Sequence, residues 1–175
     1  EMVLYLTINL VKKNIKMKKK FSHLTKNGEP TMVDVSGKGL SHRIATARSI
    51  IVLAPEILGQ FKKKEIHTKK GPVFQTAILA GIMASKKTSD LIPLCHPLAL
   101  DSCTVSIELN SKEEVEIICR VKTSGKTGVE MEALTGASVA ALTIYDMCKG
   151  FSNHILIKET RLLEKTGGKN DFKIT

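Results

Sequence analysis

The sequence has no tryptophan, two tyrosines and five phenylalanines, so aromatic side chains make up 4% of its 175 residues. Proteins that hold single-stranded nucleic acid stack the bases on aromatic platforms, and this chain has few to offer. It has four cysteines, Cys95, Cys103, Cys119 and Cys148, and none belongs to a Cys-x-x-Cys pair. Each lies in or beside an apolar segment, the pattern of buried reduced thiols in a cytoplasmic protein rather than of a disulfide framework. Cys95, His96 and Cys103 only loosely approach the spacing of a zinc site, so no metal is expected. The charge-free stretch 133–145 has thirteen residues, well short of the roughly 20 that cross a bilayer as a helix. No membrane partner is expected. In residues 1–16 a short apolar run precedes the lysines, the reverse of a secretory signal.

What the chain does have is enough length and apolar content, 42%, for one domain with a real core. Its formal charge is +10, but residues 1–20 hold six lysines and one glutamate and so supply +5 of it. A nucleic-acid-binding domain concentrates its charge on the fold, so nucleic acid is not expected as a partner. The rest is a modest excess that includes Lys62, Lys63, Lys64, Lys69 and Lys70. Such a cluster is commonly a solvated face, and it also suits a polyphosphate substrate. Met17, followed by three lysines, reads as a natural start. The expected organisation is a non-native or disordered leader over 1–16, an extended arm over 17–40 with a turn at Asn27-Gly28, and a single domain over 41–175.

The stretch GKTGVEMEALTGASVAALTIYDMCKG, residues 125–150, predicts the central element. At about 100° per residue, Met131, Leu134, Ser138, Leu142 and Tyr145 share one face, and Val139, Ala140, Ile144 and Met147 cover the rest. A helix that is apolar all round is a buried helix. Glu130 and Glu132 at its start complement the helix dipole, whereas Asp146 near its end opposes it and asks for another explanation. Residues 73–85 predict a second buried helix, opened by Pro72 at its first position. Residues 43–54 read as a strand and 55–62 as a short helix, with a charged loop over 62–70. Pro93 and Pro97 exclude regular helix from 90–98 and hold His96 extended. Alternation over 103–109 and the apolar run 115–121 predict a β-hairpin. A last strand covers 155–163, followed by a glycine loop over 166–170. The order strand, helix, strand, strand, helix, strand is that of a ferredoxin-like α+β fold, βαββαβ, with both helices on one face of an antiparallel sheet. Two helices apolar all round cannot both be covered by one sheet, so their outer faces predict a homo-oligomer.

TSGKTG, residues 123–128, has the strand before it and helix after it of a P-loop, but that pattern needs glycine where Arg120 stands. It reads as a positioning loop. Taken together, MVDVS (32–36), KGPVF (70–74), DLIPLCHPL (90–98), GKTGVEMEALTGASVAALTIYDMCK (125–149) and the C-terminal RLL, KTGGK and DFK runs (161–173) resemble the MoaC family, the cyclic pyranopterin monophosphate synthases of molybdenum cofactor biosynthesis. The resemblance covers about residues 21–175, with the motifs in order at compatible spacing.

The resemblance implies a lyase that converts 3′,8-cyclo-7,8-dihydroguanosine 5′-triphosphate to cyclic pyranopterin monophosphate and releases pyrophosphate, with no cofactor. By motif matching it implies catalytic roles for Asp146, Lys70, Lys149 and His96. Substrate binding would fall to Leu94, Cys95, His96, Glu130, Met131 and Glu132, with Arg43 and Asp34 beside them. Lysines and arginine suit a triphosphate, and carboxylates and imidazole suit the proton transfers of a rearrangement. The resemblance further implies dimers assembled into hexamers, with the sites at the dimer interface. The alternative reading, from charge alone, is a basic homo-oligomeric module that binds nucleotides or nucleic acid without catalysis.

Overall fold

The computed structural model describes residues 24, 25 and 27–174. The expected leader over 1–16 and the first part of the arm lie outside the described residues. The chain divides into two compact units, Glu1–Val33 and Asp34–Thr175. In the described part of the first, Leu24 and Pro30 form an antiparallel bridge, and the turn between them passes through Gly28 at φ 82°, a left-handed conformation that glycine adopts without strain.

The second unit begins its regular structure with strand β1, Ser41–Val52, and one helical turn, α1, Pro55–Leu58. Three short strands follow: β2 (Phe61–Lys62), β3 (Glu65–Thr68) and β4 (Gly71–Pro72). Next come helix α2 (Val73–Ser85), the single turn α3 (Thr88–Leu91), strands β5 (Ser102–Leu109) and β6 (Val115–Gly125), and the long helix α4 (Glu130–Cys148). Strands β7 (Leu156–Thr166) and β8 (Phe172–Lys173) complete it. The main sheet has the order β5-β6-β1-β7-β8 and is antiparallel throughout. With β8 set aside, the order and connections are those of the ferredoxin-like βαββαβ arrangement.

Period-2 alternation explains the sheet. In β6, Val115, Ile117, Cys119, Val121 and Thr123 are buried and their neighbours are not. The buried row faces the helices, since both Ser85 of α2 and Gly136 of α4 lie against Cys119. Ala45, Ala47 and Ile51 of β1 join the same core. The opposite face carries ion pairs: Arg48 with Glu116 and Glu159, Arg120 with Glu164, and Lys158 with Glu114.

Several expectations need correction. Residues 62–70 are not a loop but most of a three-stranded meander, β2-β3-β4. Lys63 and Lys64 make its first turn at φ 50° and 65°, a conformation for which Asn-Gly, not Lys-Lys, is the usual signal. The 90–98 segment starts inside α3, because the two prolines act only on residues from Ile92 onward. Pro72 is the N-cap of α2, extended at ψ 127°, rather than its first helical residue. Thr123-Ser124-Gly125 continues β6 by pairing with Ser41, His42 and Arg43, so only the remainder of TSGKTG is loop.

The long helix is also less buried than its composition predicts. Ala133, Gly136, Ala137, Ala140 and Ala141 lie against the sheet and α2, while Leu142 is 57% exposed and Met131 38%. The alanine and glycine stripe is thus used within the chain. On the outward face Met131 and Leu142 are exposed, while Leu134, Ser138 and Tyr145 are half-buried.

Candidate active site

Asp146 stands on the last turn of α4, where its charge opposes the helix dipole. The structure supplies the compensation. Lys149 Nζ lies 2.8 Å from Oδ1, one helical turn away, and Lys70 Nζ lies 2.8 Å from Oδ2. Lys70 also donates to the Asp146 carbonyl oxygen at 3.3 Å. The ammonium of Lys149, and then that of Lys70, pushes the Asp146 carboxyl down to about 2. All three side chains remain more than half exposed. Two cations therefore converge on one carboxylate at the surface, where an exposed ion pair contributes little to stability. Beside them is a hollow of about 490 Å³ that also includes Lys69 and Phe151.

A second cationic hollow, about 200 Å³, opens at the other end of α4. Its floor is the loop after β6. Arg43 holds that loop, donating from Nε to the Gly125 carbonyl at 3.1 Å and from Nη2 to that of Lys126 at 3.3 Å. Lys126 in turn donates to the Ser36 carbonyl at 2.9 Å. Glu130, the first residue of α4, accepts from Lys165 of β7 at 3.0 Å. A Cβ on Gly128 would displace the Glu130 carboxylate from its place beside Lys165. The glycine loop after β7 closes the hollow, and a Cβ on Gly167 would strike the His42 carbonyl.

The remaining expected residues are placed less uniformly. Glu132 is 4% exposed, and burial first, then the charge of Glu130, raises its carboxyl to about 6. The Cys95 thiol is raised by burial and then by the charge of Glu132, so Cys95 lies within electrostatic reach of the start of α4. The side chains of Leu94, Cys95 and His96 are half-buried. Met131 projects from the open face of α4. Asp34 is exposed and accepts the Ser36 amide at 2.8 Å, an Asx turn that holds its carboxyl below the usual range. Among the described residues, no three His, Cys, Asp or Glu side chains gather as a metal site would require. No helix among them is long and apolar enough to cross a membrane.

The expected residues thus form two groups in one chain. Asp146, Lys70 and Lys149 are at the end of α4, and Glu130, Glu132 and Arg43 are at its beginning. Sixteen residues separate Glu130 from Asp146, roughly 24 Å along the axis. Sequence reasoning assigned no site role to Lys38, Lys126, Lys165 and Lys169 in the smaller hollow or to Phe151 in the larger, and reached Lys69 only as part of a lysine cluster suited to polyphosphate. The KTGGK run around Lys165 was visible as a motif, but its contact with Glu130 joins residues 35 apart in sequence.

These features define a basic ferredoxin-like domain with a cation-rich hollow at each end of its central helix. The MoaC family model matches residues 32–168. The chain is 53% identical over 159 residues to a molybdenum cofactor biosynthesis bifunctional protein of Synechocystis, covering 89% of this chain and 46% of that protein. It is 50% identical over 167 residues to molybdenum cofactor biosynthesis protein 1 of Dictyostelium discoideum, covering 86% of this chain and 26% of that protein. A cyclic pyranopterin monophosphate synthase of Xanthomonas oryzae is 48% identical over 153 residues, with 87% of this chain and 93% of the relative covered. This chain belongs to the MoaC family. It spans less than half the length of the first two relatives and nearly all of the third.

Proposed function

We propose that this protein converts 3′,8-cyclo-7,8-dihydroguanosine 5′-triphosphate to cyclic pyranopterin monophosphate and pyrophosphate, in the cytoplasm and as a step of molybdenum cofactor biosynthesis. The observation that carries the reading is Asp146 held between Lys70 and Lys149 at 2.8 Å each. An exposed carboxylate with two ammonium groups is poorly explained by stability and well explained by chemistry on a phosphorylated substrate. The two ammonium groups hold the Asp146 carboxyl down at about 2, so its part is to order the cations around the phosphates rather than to act as a strong base. Lys70 and Lys149 neutralise the triphosphate and the departing pyrophosphate. Glu132, with its carboxyl raised to about 6, is matched to proton exchange near neutrality. His96, in the segment beside it, is a second candidate for that work. Arg43, Glu130 and Lys165 shape a further anion-facing surface.

The two hollows are parts of one composite site in this reading, joined when a second copy packs its α4 against the first in the antiparallel sense. Leu79 and Met83 of α2, 64% and 56% exposed, and Leu142 of α4 support an oligomer, since such side chains are otherwise an aggregation liability. Hexamers built from dimers are the proposed assembly. The test is incubation of the full chain with the cyclic dihydro-GTP intermediate alone, assaying pyrophosphate and the pyranopterin product. Both should appear in equal amounts, and absence of both would remove the reading. Salt-sensitive nucleic-acid binding without turnover would favour the non-catalytic alternative.

A further inference from the structure

We infer that Glu65 is a positioning residue that fixes the Lys70 ammonium against Asp146, a role that rests on the reading of Lys70 as part of the reacting site. Nothing in the motifs marks Glu65. It lies on β3, and its carboxylate makes three hydrogen bonds. Oε1 accepts the Ile66 amide on the same strand and the Phe74 amide of α2, both at 2.8 Å, and Oε2 accepts the Gln75 amide at 3.2 Å.

The need for this arrangement follows from Pro72. Helices leave their first amides without partners, and an N-cap Ser, Thr, Asp or Asn usually accepts them. Pro72 occupies the N-cap of α2 and has no side-chain acceptor. Glu65 caps the helix instead, from nine residues upstream of Phe74. One carboxylate therefore closes residues 65–74 into a ring, and Lys70 sits on that ring.

Ile66, fully buried in the core, anchors the start of the ring, but the turn that carries Lys70 is lightly held. Strands β3 and β4 pair through only two positions, His67 with Pro72 and Thr68 with Gly71, and a ladder that short is not stable by itself. Within the turn, the Thr68 hydroxyl accepts the Lys70 amide at 3.0 Å and donates to the Gly71 carbonyl at 3.3 Å, with Gly71 at φ 113°. These contacts set the shape of the turn but do not attach it to α2. Thr76 of α2 donates to the Pro72 carbonyl at 2.6 Å and holds the far end of the ring, and Glu65 ties its β3 side to the same helix start, so the Lys70 backbone is fixed relative to the helices from both sides. Only the flexible stem of Lys70 then remains to be ordered when it meets Asp146.

The experiment follows the Asp146 carboxyl directly, by 13C NMR titration of the folded full chain, alongside turnover of the cyclic dihydro-GTP intermediate. Glu65→Ala frees the turn, so the Asp146 midpoint should rise in the direction that Lys70→Ala moves it, and kcat should fall roughly 10- to 100-fold, as for displaced reacting groups. Glu65→Gln keeps an acceptor oxygen for Phe74 and should restore most of both. Glu65→Asp keeps the charge but falls short of α2 by one methylene, so it should raise the Asp146 midpoint in the same direction and carries the test where Glu65→Ala does not fold. A cap that matters only for stability would lower the unfolding midpoint and leave the Asp146 titration unchanged. An unchanged titration in folded Glu65→Asp or Glu65→Ala overturns the inference. If the titration moves but turnover does not, the positioning stands and the place of Lys70 in the reaction falls.

Discussion

Gly81 of α2 and Gly136 of α4 meet so closely that a Cβ on Gly81 would stand 2.9 Å from the Gly136 carbonyl oxygen. A Cβ on Gly136 would stand 2.3 Å from Ser85 Oγ and 2.6 Å from Cys119 Sγ. Ser85 cannot simply turn aside, because its hydroxyl bonds to the carbonyls of Gly81 and Glu132. Gly136→Ala gains helix propensity of about 1 kcal/mol but overpacks the helix–sheet contact, at about 1–3 kcal/mol. With two contacts under 3 Å the overpacking falls toward the upper end of that range, so the expected net destabilisation is about 1–2 kcal/mol, read as a lower denaturation midpoint. A midpoint equal to that of the parent would mean that the helices can separate at this point without loss.

The cation pair at Asp146 predicts a different pattern. Lys70→Ala, Lys149→Ala and Asp146→Asn each remove an exposed group, so thermal stability should change little. Turnover should fall on the order of 100-fold or more, the scale of lost electrostatic or proton-transfer groups. Steady-state assay and circular dichroism of the same preparations check both halves. Unfolding of Asp146→Asn would instead make Asp146 a structural partner of the β3–β4 turn.

Glu132 predicts a pH dependence of opposite sign to that of most carboxylates. Its carboxyl is raised from 4.5 to about 6 by burial, so between those values the folded state binds more protons than the unfolded chain. Stability then falls as pH rises through that window. The contribution is fully present below pH 4.5 and lost above about 6. Glu132→Gln removes the effect, and from pH 4 to pH 7 it should gain on the parent by on the order of 2 kcal/mol. Denaturant titrations at the two pH values measure the difference. A constant gap would show that Glu132 titrates normally.

The sequence was most informative where local pattern and tertiary burial coincide. Alternation in β5 and the charge-free run of α2 placed those elements nearly at their observed bounds, because one face of each is buried in this chain, while the apolar run of β6 ended at Val121, four residues short of the strand. Composition misled at α4, where apolarity all round conceals two different environments. The alanines and glycines pack inside, and the larger Met131 and Leu142 remain open. At the site, Asp146 was visible because its charge opposes the helix end, and Lys149 because it lies one turn away. Lys70 came from its motif alone, 76 residues distant. Glu65 left no signal, and Lys165 only its motif, since each acts through a contact that only the fold creates.

The separation of the two hollows leads to the last prediction. Glu130 and Asp146 cannot serve one nucleotide from the same helix if roughly 24 Å divides them, whereas two antiparallel copies of α4 bring the start of one to the end of the other. The surface available for that contact is the row that Met131 and Leu142 expose, flanked by the half-buried Leu134 and Tyr145, since the alanine and glycine row is already occupied within the chain. Glu130→Gln protein and Asp146→Asn protein should each be inactive and should regain activity when mixed under conditions that allow subunit exchange. Random exchange makes half of the dimers mixed, and each mixed dimer holds one site with both residues and one with neither, so recovery should approach about one quarter of the parental activity. Leu142→Glu, placed on the open row, should block both the dimer and the recovery without unfolding the chain. Exchange demonstrated by mass spectrometry with no recovered turnover would show that each site takes both residues from one chain, and the antiparallel arrangement would then be wrong.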